Sequence, residues 1–141
     1  MDKLTERLDQ FLSAAKTNDW PDITMVSKST NTDSDSDNEK PNTVTLSLTV
    51  NAQLSYLEGH FPDKPVVPGV VQVHWASILA HKLFTISGAF LKMENVKFQS
   101  MILPDQTVEL TLTNHAEKQQ VAFNYSLGSN TVSEGKLYFH G

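Results

Sequence analysis

Hydrophobic and polar residues alternate along much of the chain, and this pattern predicts β-strands. Residues 43–50 place Val or Leu at every second position with Thr or Ser between them, which predicts a half-buried strand. Two further strands are predicted at 23–27 and 93–101. The same alternation recurs in later segments, at 107–113, 121–125 and 132–139. The short turns between the late segments predict antiparallel hairpins in a meandering sheet.

Two segments instead repeat their apolar residues with the period of an α-helix. Between Leu4 and Ala15 apolar residues recur mainly at spacings of three and four, which predicts an amphipathic helix at about residues 4–17. From Val70 to about Ile86 the chain has no Pro or Gly and is apolar on more than one helical face. A helix of this kind is central to its fold. The prediction is one α+β domain, residues 1–141, with an antiparallel sheet wrapped around a central helix.

Composition excludes several classes of function. The net charge of −5 and a single arginine argue against a nucleic-acid surface. The absence of cysteine excludes disulfides and thiolate chemistry. No apolar run approaches the ~20 residues of a membrane span, and the charged N-terminus lacks a signal-peptide core, so a cytoplasmic protein is expected. Residues 31–40 contain no apolar residue, and the Gly and the distal Glu of a calcium loop are missing at the required places; the segment is interpreted as a mobile acidic loop.

The stretch from Gly59 to Trp75 differs from the rest of the chain. Three prolines and two glycines lie in its first eleven residues, and the apolar helix follows. Proline fixes φ and disfavours helix at the preceding residue, so this part is predicted to be a stiff loop. The helix would begin at Pro68-Gly69, where backbone N–H groups lack partners and the dipole is positive. His60 is therefore a candidate acid–base residue beside a pocket for an oxyanion.

The residues of this stretch resemble a known family. Gly59-His60-Phe61-Pro62, followed by Pro65-Val66-Val67-Pro68-Gly69-Val70, resembles the β-hydroxyacyl-acyl-carrier-protein dehydratases of bacterial fatty acid synthesis, which have the hotdog fold. Asn95-Val96-Lys97-Phe98, with Ile102-Leu103-Pro104-Asp105 after it, is similar to a second signature of that family. The segment Val71-Gln72-Val73-His74-Trp75-Ala76 is most similar to the branch from aryl polyene pigment clusters.

The resemblance implies an activity and a set of site residues. The reaction is loss of water from a 3-hydroxyacyl thioester on acyl carrier protein, which gives a trans-2-enoyl thioester without cofactor or metal. His60 would be the catalytic base or acid, and the Gly69 N–H would bind the thioester carbonyl. Phe61, Val66 and Val70 would contact the substrate. In this family the other subunit of a dimer contributes a helix carboxylate, and the corresponding position here is His74.

A histidine at position 74 changes the expected chemistry. Dehydration needs a base for the proton α to the thioester, a donor for the leaving hydroxyl, and donors for the enolate oxygen. Imidazole suits proton transfer because its unperturbed pKa is ~6.5. His74 would have to be protonated, or to orient a water molecule, in place of the carboxylate. The hypothesis is that His60 and His74 from opposite subunits form a pair with coupled titration.

Other interpretations stay open at this point. His74 could be a hydrogen-bonded core residue, and the chain could be a non-catalytic hotdog subunit that works in a hetero-oligomer. An acyl thioesterase is disfavoured because the predicted helix lacks the acidic residue that such enzymes use. His81 is interpreted as structural or as lying at the margin of the site, and Trp75 is interpreted as a core residue. An acidic carrier protein would dock on basic side chains, and the candidates are Lys64, Lys82, Lys92 and Lys97.

Overall fold

The computed structural model describes residues 3–14, 20–29, 42–50 and 67–140. These contain helices α1 (Lys3–Ala14) and α2 (Gly69–Leu83) and a short 3-10 turn (Ala116–Lys118). The strands in chain order are β1 (Asp22–Ser29), β2 (Thr43–Thr49), β3 (Phe90–Phe98), β4 (Thr107–His115), β5 (Gln120–Leu127) and β6 (Asn130–Phe139). The predicted α+β class is confirmed. The acidic segment 31–40 lies outside the described residues.

The strands form one antiparallel sheet in the order β1-β2-β4-β5-β6-β3. The hairpins β4–β5 and β5–β6 agree with the prediction. The predicted meander is wrong for β3, which pairs with β6 at the sheet edge and not with β4. The connection after β3 crosses the fold: the Val67 N–H donates to Ile102 O at 2.9 Å, and the Asp105 N–H donates to Val50 O at 2.7 Å. These bonds direct β4 to a position beside β2.

The bounds of β3 also differ from the prediction. The strand starts at Phe90 and ends at Phe98, three residues earlier at each end than predicted. Its ladder ends because the N–H groups of Gln99 and Ser100 both donate to Val132 O, at 2.8 and 3.1 Å. Inside the strand, the pairing with β6 shifts between Glu94 and Lys97.

The core lies between the inner face of the sheet and α2. The alternate apolar residues of β2 and β4 are all buried, as the period-two pattern predicted. On α2 eight residues are buried, including Trp75 with no exposed surface. Each buried side chain of this size contributes ~1.5–3 kcal/mol relative to exposure. The interpretation of Trp75 as a core residue is confirmed.

The C-terminal end of α2 is closed by its surroundings. The helix ends at Leu83, three residues before the prediction, since Thr85 adopts a left-handed φ of 50°. Arg7 of α1 donates from Nη1 to Leu83 O at 3.0 Å and so satisfies a carbonyl at the negative end of the helix dipole. Leu4 and Leu8 attach α1 to the core. No helix in the described ranges is long and apolar enough to cross a membrane.

Candidate functional site

At the N-terminal end of α2, the first backbone N–H groups have no backbone acceptor among the described residues. Pro68 is the N-cap, in an extended conformation, and its side chain makes no capping bond. The first bonds of the helix run from the N–H groups of Val71 and Gln72 to Pro68 O, at 3.0 and 3.2 Å. The N–H groups of Gly69 and Val70 precede these bonds and have no acceptor within the helix. Two donors at the positive end of the dipole are therefore oriented out of the helix.

Phe98 of β3 lies directly against this helix start. A Cβ atom built on Gly69 would lie 2.8 Å from Cζ and 2.9 Å from Cε1 of the Phe98 ring. Glycine at this position thus permits the ring to approach the backbone. Phe98 keeps 52% of its surface exposed and Val70 keeps 77%, so the donors open onto an apolar surface. The Lys-Phe signature was the sequence signal for this strand, but the contact between Phe98 and Gly69 was not predicted.

His74 lies on the exposed side of α2. Its ring centroid is 6.0 Å from that of Trp20. Trp20 in turn lies 4.7 Å from Phe11, edge to face, and 6.3 Å from Trp75. These aromatic residues join α1 to α2 beside the histidine. Its side chain is exposed in the single chain, so the alternative interpretation of His74 as a core residue is wrong. The imidazole is accessible to solvent or to a partner chain.

The other predicted site residues form three groups, namely those outside the described residues, His81 near the end of α2, and the docking lysines. His60, Phe61, Lys64 and Val66 lie outside the described residues, so the pairing of His60 with His74 stays a prediction. His81 is half-buried, with its ring 6.2 Å from that of Phe139. It sits near the end of α2, ~18 Å along the helix axis from Gly69.

Of the predicted docking lysines, Lys92 and Lys97 lie on the outer face of the sheet, opposite to the face that carries Phe98. Lys92 Nζ is 2.8 Å from Glu94 Oε1 and 5.1 Å from the ring centroid of Tyr138. The hydrogen bond and charge of each partner raise the pKa of Lys92 and lower the pKa of Glu94. This exposed pair adds little stability, but it offsets the positive charge of Lys92. Lys82 is exposed on the last turn of α2.

A buried polar cluster beneath the helix start was missed by sequence reasoning. Gln72, 2% exposed, donates from Nε2 to Val67 O at 3.3 Å. It accepts at Oε1 from the Ser133 hydroxyl at 2.7 Å, and its backbone carbonyl accepts from the Tyr125 hydroxyl at 2.7 Å. Burial raises the pKa of Tyr125, which keeps the phenol protonated as a donor. The available signal was a single polar residue within the apolar run 70–73.

In the described parts of the chain, no group of three His, Asp or Glu side chains is arranged to hold a metal ion. The candidate groups are the backbone donors and the apolar surface at the helix start, and the exposed imidazole of His74 farther along α2. An antiparallel sheet wrapped around a central helix is the architecture of the hotdog class.

Comparison with known families agrees with this class. The family model of ApeI-like proteins, described as ApeI dehydratase, matches residues 35–136, which is more than half of the chain. The chain belongs to the ApeI-like family of hotdog dehydratases. The resemblance to the dehydratase family inferred from the Gly-His-Phe-Pro motif, and to its branch inferred from residues 71–76, is thereby confirmed.

Individual relatives are more distant. A 3-hydroxyacyl-[acyl-carrier-protein] dehydratase, FabZ of Rhizorhabdus wittichii, is 30% identical over 101 residues, which cover 65% of this chain and 57% of that protein. The chain thus spans little more than half the length of this curated relative. The dehydratase heterocomplex ApeI:P from Xenorhabdus doucetiae contains a chain with a TM-score of 0.70 and 26% identity, over 85% of this chain and 99% of the other.

The fold is also shared more widely. Thioesterase superfamily member 2 from Mus musculus has a TM-score of 0.63 over 100% of both chains, at 12% identity. An identity this low shows the common hotdog fold alone and gives no information about the reaction.

Proposed function

We propose that this chain eliminates water from a 3-hydroxyacyl thioester carried on acyl carrier protein, to give a trans-2-enoyl thioester in fatty acid or aryl polyene synthesis. The observation that supports it best is the pair of N–H donors at Gly69 and Val70, which have no backbone acceptor in the described part of the chain and lie beside an exposed apolar surface, in a member of the ApeI-like dehydratase family. A thioester carbonyl fits the donors, and an acyl chain fits the surface. The name of the FabZ relative supports the same substrate class.

The reaction follows from these groups. The Gly69 N–H polarises the thioester carbonyl and stabilises the enolate oxygen. One such donor lowers the activation barrier by ~3 kcal/mol. His60 removes the proton α to the carbonyl, and His74 delivers a proton to the hydroxyl at C3, directly or through a water molecule. The C–O bond breaks as the C=C bond forms, and water leaves. His60 has gained one proton and His74 has lost one, so proton exchange with solvent restores both histidines to their starting protonation states.

A second subunit completes the proposed site. β3 pairs with β6 on one side, and no strand borders its other side among the described residues. Four of its apolar side chains remain 43–52% exposed, namely Phe90, Leu91, Met93 and Phe98. An exposed apolar edge is a template for pairing with another chain. The exposed position of His74 supports a site whose acid–base partner comes from that chain.

Two specific observations favour a second candidate, a subunit that is active only in a hetero-oligomer. The family resemblance places His74 at the position of the dehydratases' helix carboxylate, and a chain of similar structure comes from a dehydratase heterocomplex. In this case a different hotdog subunit would pair with β3 and supply the missing acid–base residue. No observation favours thioester hydrolysis, because α2 contains no Asp or Glu.

Mass spectrometry of the carrier protein tests the proposal. The purified chain is incubated with a 3-hydroxyacyl carrier protein, alone and with a candidate partner subunit. Loss of one water from the carrier-bound acyl group supports a dehydratase, and loss only after the partner is added supports the hetero-oligomer. Release of free carrier protein would overturn both in favour of a thioesterase.

Variants assign the two histidines. We expect His60→Ala and His74→Ala each to lower kcat at least ~100-fold, the usual range of general acid–base catalysis. His81→Ala is the matched control, since it removes the same side chain from the same helix and should leave kcat unchanged. Turnover equal to wild type in either of the first two variants would remove the role assigned to that residue.

A further inference from the structure

We propose that Gln72 is a positioning residue for this reaction: its buried amide fixes the backbone before α2 and thereby aims the Gly69 N–H. This inference rests on the proposed function, because it concerns the donor that binds the thioester carbonyl. Its basis is the polar cluster of Gln72, Tyr125 and Ser133 beneath the helix start.

The cluster connects the sheet to Gln72. Ser133 of β6 and Tyr125 of β5 have no exposed surface. Ser133 holds the side-chain oxygen of Gln72, and Tyr125 holds its backbone carbonyl, each at 2.7 Å. The buried hydrogen bonds therefore fix both ends of this residue against the two strands.

Gln72 in turn holds the segment that leads into the helix. Val67 is 3% exposed, and both of its backbone polar groups are engaged: its carbonyl by Gln72 Nε2 at 3.3 Å and its N–H by Ile102 O at 2.9 Å. Only Pro68, whose ring fixes φ, separates Val67 from Gly69. Only ψ of Pro68 then remains between the Val67 carbonyl and the Gly69 N–H, so a shift of this carbonyl changes the direction of the N–H unless that one torsion compensates.

The glutamine contributes to stability as well as to direction. The Gln72–Ser133 pair can be replaced by apolar side chains of similar shape with little loss, but the buried Val67 carbonyl then loses its donor, which lowers the stability of the fold. A double variant, Gln72→Leu with Ser133→Ala, would keep the core filled and remove the hold on Val67. The native amide is the group that reaches the Val67 carbonyl, and this directional bond is what an apolar residue cannot supply.

The test separates positioning from folding. We expect Gln72→Leu/Ser133→Ala to remain folded and to lose about tenfold to hundredfold in kcat with little change in KM, as small misplacements of a catalytic group do. Leu79→Ala, a buried position on α2 away from the cluster, is the control: it should lower stability and leave kcat unchanged. A double variant with wild-type kcat would overturn the proposal.

A more conservative variant adds a pH signature. Protonated Gln72→Glu keeps a donor for the Val67 carbonyl and an acceptor for Ser133, whereas the carboxylate has no donor. Burial raises the pKa of such a carboxyl group, and Tyr125 is the titratable side chain that hydrogen-bonds this residue. The ratio of kcat for Q72E to that of wild type should therefore rise as the pH falls. A ratio independent of pH contradicts the proposed bond.

The environment of the Gly69 N–H can be measured by NMR, independently of catalytic turnover. The chain has six glycines, so selective ¹⁵N-glycine labelling gives six backbone signals, and Gly69→Ala assigns the relevant one. We expect this signal to shift in the double variant and not in Leu79→Ala. An unmoved Gly69 signal in an active protein overturns the role of Gln72 alone. A wild-type chain that dehydrates nothing, with or without a partner subunit, overturns the proposed function and this role with it.

Discussion

The two edge strands of the sheet, β1 and β3, present different surfaces. β1 exposes mainly polar residues and Lys28, with Val26 as its one large exposed apolar side chain. β3 exposes Phe90, Leu91, Met93 and Phe98. Both edges carry bulges, so irregular pairing does not distinguish them. Polar residues and lysine protect a sheet edge from pairing with other chains. β3 also carries exposed Lys92, Glu94 and Lys97, so the edges differ in their large exposed apolar side chains, four on β3 against one on β1.

The difference relates assembly to the candidate site. Phe98, at the end of β3, lies against Gly69, so a chain that pairs with β3 would cover the helix-start donors. A chain that pairs with β1, at the opposite edge of the sheet, would not reach the helix-start donors through Phe98. The apolar edge therefore belongs to the same surface as the site, which favours an active centre formed between subunits.

The largest effect is expected from a charge placed on the apolar edge. Met93 on β3 and Val26 on β1 are almost equally exposed, at 52% and 53%. Met93→Glu should weaken subunit association at least ~100-fold, because an unpaired charge buried in an interface costs several kcal/mol. Val26→Glu should leave association unchanged. Analytical ultracentrifugation measures both, and equal behaviour of the two variants would contradict the distinction between the edges.

A medium effect is expected where β3 enters the sheet. A Cβ atom on Gly88 would collide with the backbone carbonyl oxygen of His140, and the His140 N–H donates to Ala89 O at 2.9 Å. Gly88→Ala must displace backbone at this end of the β3–β6 pair, which we expect to lower the free energy of unfolding by ~1–3 kcal/mol. Denaturant unfolding measures this change.

The matched control for this variant is Gly128→Asn in the β5–β6 turn. Gly128 has a φ of 63° with open space around its Cβ position, and Asn tolerates this conformation. We expect it to cost less than ~0.5 kcal/mol, as most surface substitutions do. A similar loss in both variants would show that the contact with His140 does not hold β3 in place.

Much of this architecture could be predicted from local sequence, because the responsible interactions are local. Period-two alternation located β2, β4 and β5, and the Pro68-Gly69 pair located the start of α2. The position of β3 could not be predicted in this way, since a short connection usually gives a hairpin. What moves β3 to the edge is a set of hydrogen bonds between Val67, Val50 and the segment 102–105, which are distant in sequence.

The site shows the same limit. A family motif made His60, Gly69 and His74 candidates, because each carries recognisable chemistry at a recognisable spacing. Gln72 is not part of such a recognisable chemical motif, and its hydrogen-bond partners Tyr125 and Ser133 lie 53 and 61 residues away in the sequence. Residues that position a catalytic group are set by tertiary contacts, and a single sequence does not show them.

The smallest effect is expected from the lysines of the two edges, if an acidic carrier protein docks near β3. Lys97→Glu should slow association with the carrier protein several-fold at low ionic strength, because exposed charges act mainly on the association rate. Lys28→Glu on β1 makes the same charge change at the opposite edge and should alter the rate much less. Stopped-flow measurements at increasing salt check both, since the difference should shrink as screening increases. Equal slowing by both variants would point to net charge rather than to a docking surface beside β3.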